Sequence, residues 1–138
     1  MLTRLREIVE KVAAAASLTD ALDLLVNETC LAMDTEVCSI YLADNDRRCY
    51  YLMATRGLKK PRGRTIALAF DEGVVGLVGR RAEPINLADA QSHPSFKYVP
   101  QVKEDRFRSF LGVPIIHRRQ LLGVLVVQQR ELRQFDES

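Results

Sequence analysis

FRSFLGVPIIHRRQLLGVLVVQQ, residues 107–129, holds two apolar runs, 110–116 and 121–127, around a polar break at His117, Arg118, Arg119 and Gln120. Val113, Ile115, Ile116, Val124, Val126 and Val127 are β-branched, and β-branched side chains fit a pleated surface. Two such runs across a short polar break read as a β-hairpin. Neither run alternates cleanly between apolar and polar residues, which predicts central strands covered on both faces. Pro114 conflicts with a central strand, because proline gives no N–H to the ladder. It fits only at a bulge or where no donor is needed. The rest of the chain is read as what wraps this hairpin.

With 138 residues the chain is long enough for one domain with a core of its own and short for two. Its 47% hydrophobic and 28% charged residues place it among soluble globular domains. The 20 basic and 18 acidic residues leave a net charge of +2, which draws it strongly to neither nucleic acid nor a membrane surface. No apolar run approaches the roughly 18 residues of a membrane span, and the N-terminus lacks a signal-peptide pattern. The three cysteines, Cys30, Cys38 and Cys49, are an odd set with no CxxC spacing. That argues against a disulfide framework and against a zinc site. The expected compartment is the reducing cytoplasm, and no cofactor or metal is expected.

Leu5, Ile8, Val9 and Val12 recur at helical spacing, which predicts an amphipathic helix over about 1–14. Ser17 followed by Asp20 is a capping-box variant that opens a second helix, about 18–33. VCSIYL lies within a strand at about 36–43, Asp44-Asn45-Asp46 is a turn, and RCYYLMAT is a second strand at about 48–55. The basic stretch 56–64 has no aromatic residue interleaved for base stacking, so it reads as a solvated loop rather than a nucleic-acid contact. Residues 66–70 form a short strand.

DEGVVGLVGRR, 71–81, is a helix with glycines at 73, 76 and 79, all on one face. Each costs about 1 kcal/mol relative to alanine, so a close neighbour is expected there, either the sheet or a ligand. A dinucleotide fingerprint is excluded, because the spacing is GxxGxxG and no βαβ unit surrounds it. PINLADA, 84–90, is a short strand and turn in which Asn86 and Asp89 either bond local backbone or orient a small molecule. Residues 91–100 form a loop whose His93 reads as a surface residue. Strands 107–116 and 120–129 follow. Phe135 and Asp136 have the form of a staple and N-cap for a further helix, which the sequence stops short of. Hairpin-joined strands with helices packed on them make an antiparallel α+β domain.

This order resembles the GAF domain family. Its pattern R-S-x-L-G-V-P, a short turn, then G-V-L is matched by Arg108, Ser109, Leu111, Gly112, Val113, Pro114, Gly123, Val124 and Leu125. The E-G-V-V-G at 72–76 and the I-N-L-A-D-A at 85–90 match as well. The resemblance implies a single domain over 1–138 with a central antiparallel sheet of about five to six strands. The N-terminal helices lie on one face and the covering helix and loops on the other, and the final helix is missing. CLAMDTEVCSIYLAD, YYLMATRGLKKPRGR and LADAQSHPSFKYVP are similar to the N-terminal GAF domains of nitrogen-related phosphoenolpyruvate–protein phosphotransferases. That likeness implies a sensor of a small metabolite, glutamine foremost, that tunes autophosphorylation to nitrogen status. The catalytic residues, and any magnesium, would belong to other domains of the same chain. A homodimer is expected.

A pocket of this family lies between one sheet face and its cover. Ser39 and Tyr41, or else their neighbours Cys38 and Ile40, would look into it, since a one-residue slip swaps the faces. Gly73, Val74, Val75, Asn86, Asp89, Arg108, Ser109 and Phe110 are the further ligand-binding candidates. Asp89 would take an ammonium group and Arg108 a carboxylate through its planar fork, which together suit an amino acid. Two rival readings are a dimerisation or docking module without a ligand, and a free methionine sulfoxide reductase. The second needs cysteines in covering loops or later strands, and none follows Cys49.

Overall fold

The computed structural model describes residues 3, 4, 6, 7, 17–58, 66–90, 107–131 and 133–135. Of the helix expected over 1–14, residues 3, 4, 6 and 7 are helical and exposed, and the rest lie outside the described residues. Also outside them are most of the basic loop, the loop at 91–106 with His93, and Asp136.

Six strands form one antiparallel sheet: β1 Val37–Asp44, β2 Cys49–Arg56, β3 Ala67–Ala69, β4 Ile85–Leu87, β5 Ser109–His117 and β6 Gln120–Gln129. Their order is β3-β2-β1-β6-β5-β4, so the β5–β6 hairpin is interior, as its unalternating apolar runs predict. Pro114 pairs with Val124 of β6 and lies beyond the three-residue stretch that β4 pairs. Among the described residues only one flank of β5 is paired there, which is where a missing donor is tolerated. The hairpin turns at Arg118 and Arg119, both left-handed with φ of 51° and 64°. This is the primed geometry that matches strand twist, and it prefers Asn-Gly.

Two helices among the described residues lie on opposite faces of the sheet. The first, α1, is Leu18–Met33, and the second, α2, is Gly73–Arg81. The Ser17 side chain accepts from the Asp20 N–H at 3.1 Å, so the cap read from the sequence is made. At the other end of α1, Arg133 donates to the carbonyls of Met33 and Asp34 and stacks on Phe135 at 4.8 Å. A guanidinium at a helix C-terminus satisfies exposed carbonyls and complements the dipole.

The sheet separates two apolar clusters. Leu22, Val26 and Cys30 of α1 pack on Cys38, Ile40, Ala54, Leu111 and Val127. Val74, Val75 and Val78 of α2 pack on the other face against Tyr41, Tyr50, Leu52, Phe110, Val124 and Val126. A register shift between Ile40 and Tyr41 leaves Met53 as an extra residue in β2. That bulge turns Leu52 to the α2 side and Ala54 to the α1 side, and it keeps both clusters apolar. The glycines of α2 permit its close approach. A methyl on Gly79 would land on the Tyr50 hydroxyl, and one on Gly76 would meet the Phe70 carbonyl.

Candidate ligand-binding face

Pairing parity sorts the candidate residues. Val37, Ser39 and Tyr41 alternate with Cys38 and Ile40 along β1, and the latter two belong to the α1 cluster. Ser39 and Tyr41 therefore face α2. There Tyr41, Val74, Val75 and Phe110 share one cluster. The buried Ser39 hydroxyl lies 2.8 Å from that of Thr55, its cross-strand partner. Gly73 opens α2 with φ of 67°, a conformation that favours glycine.

Asn86 and Ser109 go the other way. Asn86 pairs with Leu111, an α1-side residue. Its amide donates to the Phe135 carbonyl at 2.7 Å and its oxygen accepts from the Phe135 N–H at 3.2 Å. The Ser109 hydroxyl donates to the carbonyls of Gln129 and Glu131. Both side chains hold the segment after β6 against the sheet, and neither is brought together with the α2-side group. Asp89 and Arg108 are brought together, but with each other. Arg108 donates to both carboxylate oxygens, at 2.7 and 3.4 Å, in a half-exposed bidentate pair. That pairing raises Arg108 further above its usual range.

The sequence reading passed over Gln128. It pairs with Val37 and with Phe110, both residues of the α2-side cluster. It is 4% exposed, and its Oε1 accepts no hydrogen bond. The available signal was parity: Val124, Val126 and Gln128 are successive residues of one face, and the third breaks an apolar row.

The thiols stand apart from this face. Cys30 and Cys38 are both buried in the α1-side cluster. Their mutual hydrogen bond, together with burial, pushes Cys38 far above the usual thiol range. The same bond draws Cys30 down, against the opposing effect of burial. Cys49 opens β2 and is half-buried. Among the described residues no cluster of metal-ligating side chains occurs. A surface cleft of about 180 Å³ lies by the β1–β2 turn, between Arg48, Tyr50, Phe70 and Arg80. It contains none of the candidates. Its arginines pack on Phe70, Arg48 over the ring at 5.4 Å and Arg80 on the carbonyl at 2.8 Å. No described helix is long and apolar enough to cross a membrane.

The chain is 84% identical over all 138 residues to a phosphoenolpyruvate-dependent phosphotransferase system protein of Salmonella typhimurium. It is 83% identical to one of Escherichia coli over the same length. It spans 18% of the length of each. Among solved structures, the GAF domain of a phosphoenolpyruvate-protein phosphotransferase from Coxiella burnetii superposes with a TM-score of 0.88 at 44% identity, covering 99% of this chain and 81% of that one. The family model for the GAF domain matches residues 17–138, and with this fold the chain belongs to the GAF domain family.

Proposed function

We propose that this chain is the regulatory, metabolite-sensing GAF domain of a cytoplasmic phosphoenolpyruvate–protein phosphotransferase, and that its ligand seats on the α2-facing side of the sheet. One observation carries the reading. Tyr41, Val74, Val75 and Phe110 converge on one buried face, beside the buried hydroxyl of Ser39. Ligand sites combine such apolar walls with a few placed polar groups. Relatives several times longer than this chain support its role as a module that acts on catalytic domains elsewhere in the same protein. The proposed ligand is an amino acid, glutamine foremost, reporting nitrogen status to the autophosphorylation step, in a homodimer. Any magnesium would serve the catalytic domain.

A thermal-shift screen against glutamine, glutamate, 2-oxoglutarate and cyclic nucleotides tests the reading. A ligand at a hundred times its Kd adds about 2.7 kcal/mol, a rise of several degrees at this size. The same ligand must change the rate at which the full-length protein takes phosphate from phosphoenolpyruvate. A screen with no shift refutes the sensor, and a shift without a rate effect refutes the coupling.

A further inference from the structure

We propose that Gln128 sets ligand specificity on the α2-facing side of the sheet, its side-chain carbonyl accepting a hydrogen bond from an uncharged N–H donor of the carboxamide class. The inference rests on the sensor reading above and deepens it.

Three observations carry it. The Gln128 Oε1 is a buried acceptor with nothing to accept from. Buried carbonyls are almost always hydrogen-bonded, so an orphan marks either strain or an absent partner. Its position is also costly for a glutamine. Val124 and Val126 precede it on the same face, both at most 1% exposed, and a third apolar residue would continue the row without an unmet polar atom. Sequences break their local rules at functional sites. Third, a complementary group lies nearby. Val37 pairs with Gln128 and Ser39 with Val126, so Ser39 is the diagonal same-face neighbour of Gln128. Diagonal neighbours of this kind are roughly 7–8 Å apart.

The Ser39 and Thr55 hydroxyls share one hydrogen bond, which leaves one hydroxyl proton to donate. A ligand group that meets both ends donates to the Gln128 carbonyl and accepts from the hydroxyl pair. A carboxamide does both. The cluster on this face is apolar, and among the described residues no charged side chain is buried. A carboxylate, phosphate or ammonium seated there would lose its hydration and meet no buried counter-charge among the described residues. A neutral amide does not meet that cost.

Calorimetric titration of the protein with matched amide and acid probes tests this: glutamine against glutamate, asparagine against aspartate, nicotinamide against nicotinate. The wild type binds the amide of at least one pair at least tenfold more tightly than its acid. Gln128→Met, which keeps length and removes the carbonyl, weakens that amide at least tenfold, about 1.4 kcal/mol. It also raises the Tm of the ligand-free protein by about 3 °C, because the orphan is gone. A ligand-free Gln128→Met that melts below wild type would show that Oε1 has a partner, and would overturn the inference. So would unchanged amide affinity in the variant. If the wild type instead binds an acid or a cyclic nucleotide, and Gln128→Met leaves that binding intact, the Gln128 inference falls and the sensor reading stands. If the wild type binds no probe, the Gln128 inference falls, and the sensor reading falls with it when the thermal-shift screen is silent as well.

Discussion

Gly79→Ala is a substitution whose sign the packing of α2 decides. On an isolated helix the change stabilises by about 1 kcal/mol, since glycine pays the larger backbone entropy. Here the new methyl falls on the Tyr50 hydroxyl, with Tyr50 Cζ at 3.0 Å and Leu121 Cδ2 at 3.2 Å. Tyr50 cannot step aside easily. It is 2% exposed, and its ring lies 4.8 Å from that of Phe70. Overpacking a filled core costs about 1–3 kcal/mol, which offsets the propensity gain and exceeds it. The expected net loss is about 1 kcal/mol, read as a lower urea midpoint with an unchanged slope. Tyr50→Phe removes the atom in the way. In that background Gly79→Ala should cost less or turn stabilising, with a coupling of about 1–2 kcal/mol in the double-mutant cycle. A single Gly79→Ala variant that is about 1 kcal/mol more stable than wild type would refute the reasoning. The close approach of α2 to β2 would then not exist.

Asn86→Ala removes both hydrogen bonds to the Phe135 backbone and should lower stability by about 2 kcal/mol in chemical denaturation, with no change in ligand affinity. Asp89→Ala and Arg108→Ala should show only a small coupling that fades in high salt, since the pair is half-exposed; a large, salt-resistant coupling would mean the pair is buried in solution. Replacing Arg118 and Arg119 by Asn and Gly relieves two left-handed arginines and should raise the Tm by a few degrees, and no rise would mean a different turn. Burial holds the Tyr50 hydroxyl above its usual range, so the unfolded chain ionises first as the pH climbs. The contribution is complete below about pH 10 and is lost as the pH rises through the folded-state value. Melting curves from about pH 9 to about pH 11 should fall more steeply for wild type than for Tyr50→Phe, and parallel curves would place that hydroxyl in water.

Much of the fold was legible because its signals are local. The apolar runs on either side of Arg118 and Arg119 dictate a hairpin whatever surrounds it, and their lack of alternation places it inside the sheet. Ser17 and Asp20 mark the start of α1 through one side-chain bond three residues long. The glycines of α2 required a close neighbour, and the sheet is one: Gly79 abuts Tyr50, and Gly112 on β5 leaves room for Val78, which a methyl there would meet at 2.7 Å. What the sequence could not supply was phase. The bulge at Met53 depends on how β2 meets β1, and nothing in RCYYLMAT shows that one residue is extra.

Phase is also what separates structure from site in the motifs that carry the family resemblance. In INLAD, Ile85 and Leu87 pack with the α2-side cluster while Asn86 turns back to hold Phe135. In RSFLG, Phe110 reaches the α2 side and Ser109 fastens the carbonyls of Gln129 and Glu131. A motif of consecutive residues on a strand necessarily addresses both faces, so half of it serves closure of the domain and half turns to the side proposed for the ligand. Gln128 follows from the same logic in reverse. It lies outside the family motifs, yet two strands away from Ser39's hydroxyl partner Thr55 it occupies the inward phase of β6, where an apolar side chain was due. The residues that discriminate one ligand from another are then to be sought where the inward phase turns polar, and only secondarily where the motif matches. Among the described residues of this face those positions include Ser39, Thr55 and Gln128, and exchanging them should change which ligand is bound while leaving the fold, held by Asn86, Ser109 and Arg133, as it is.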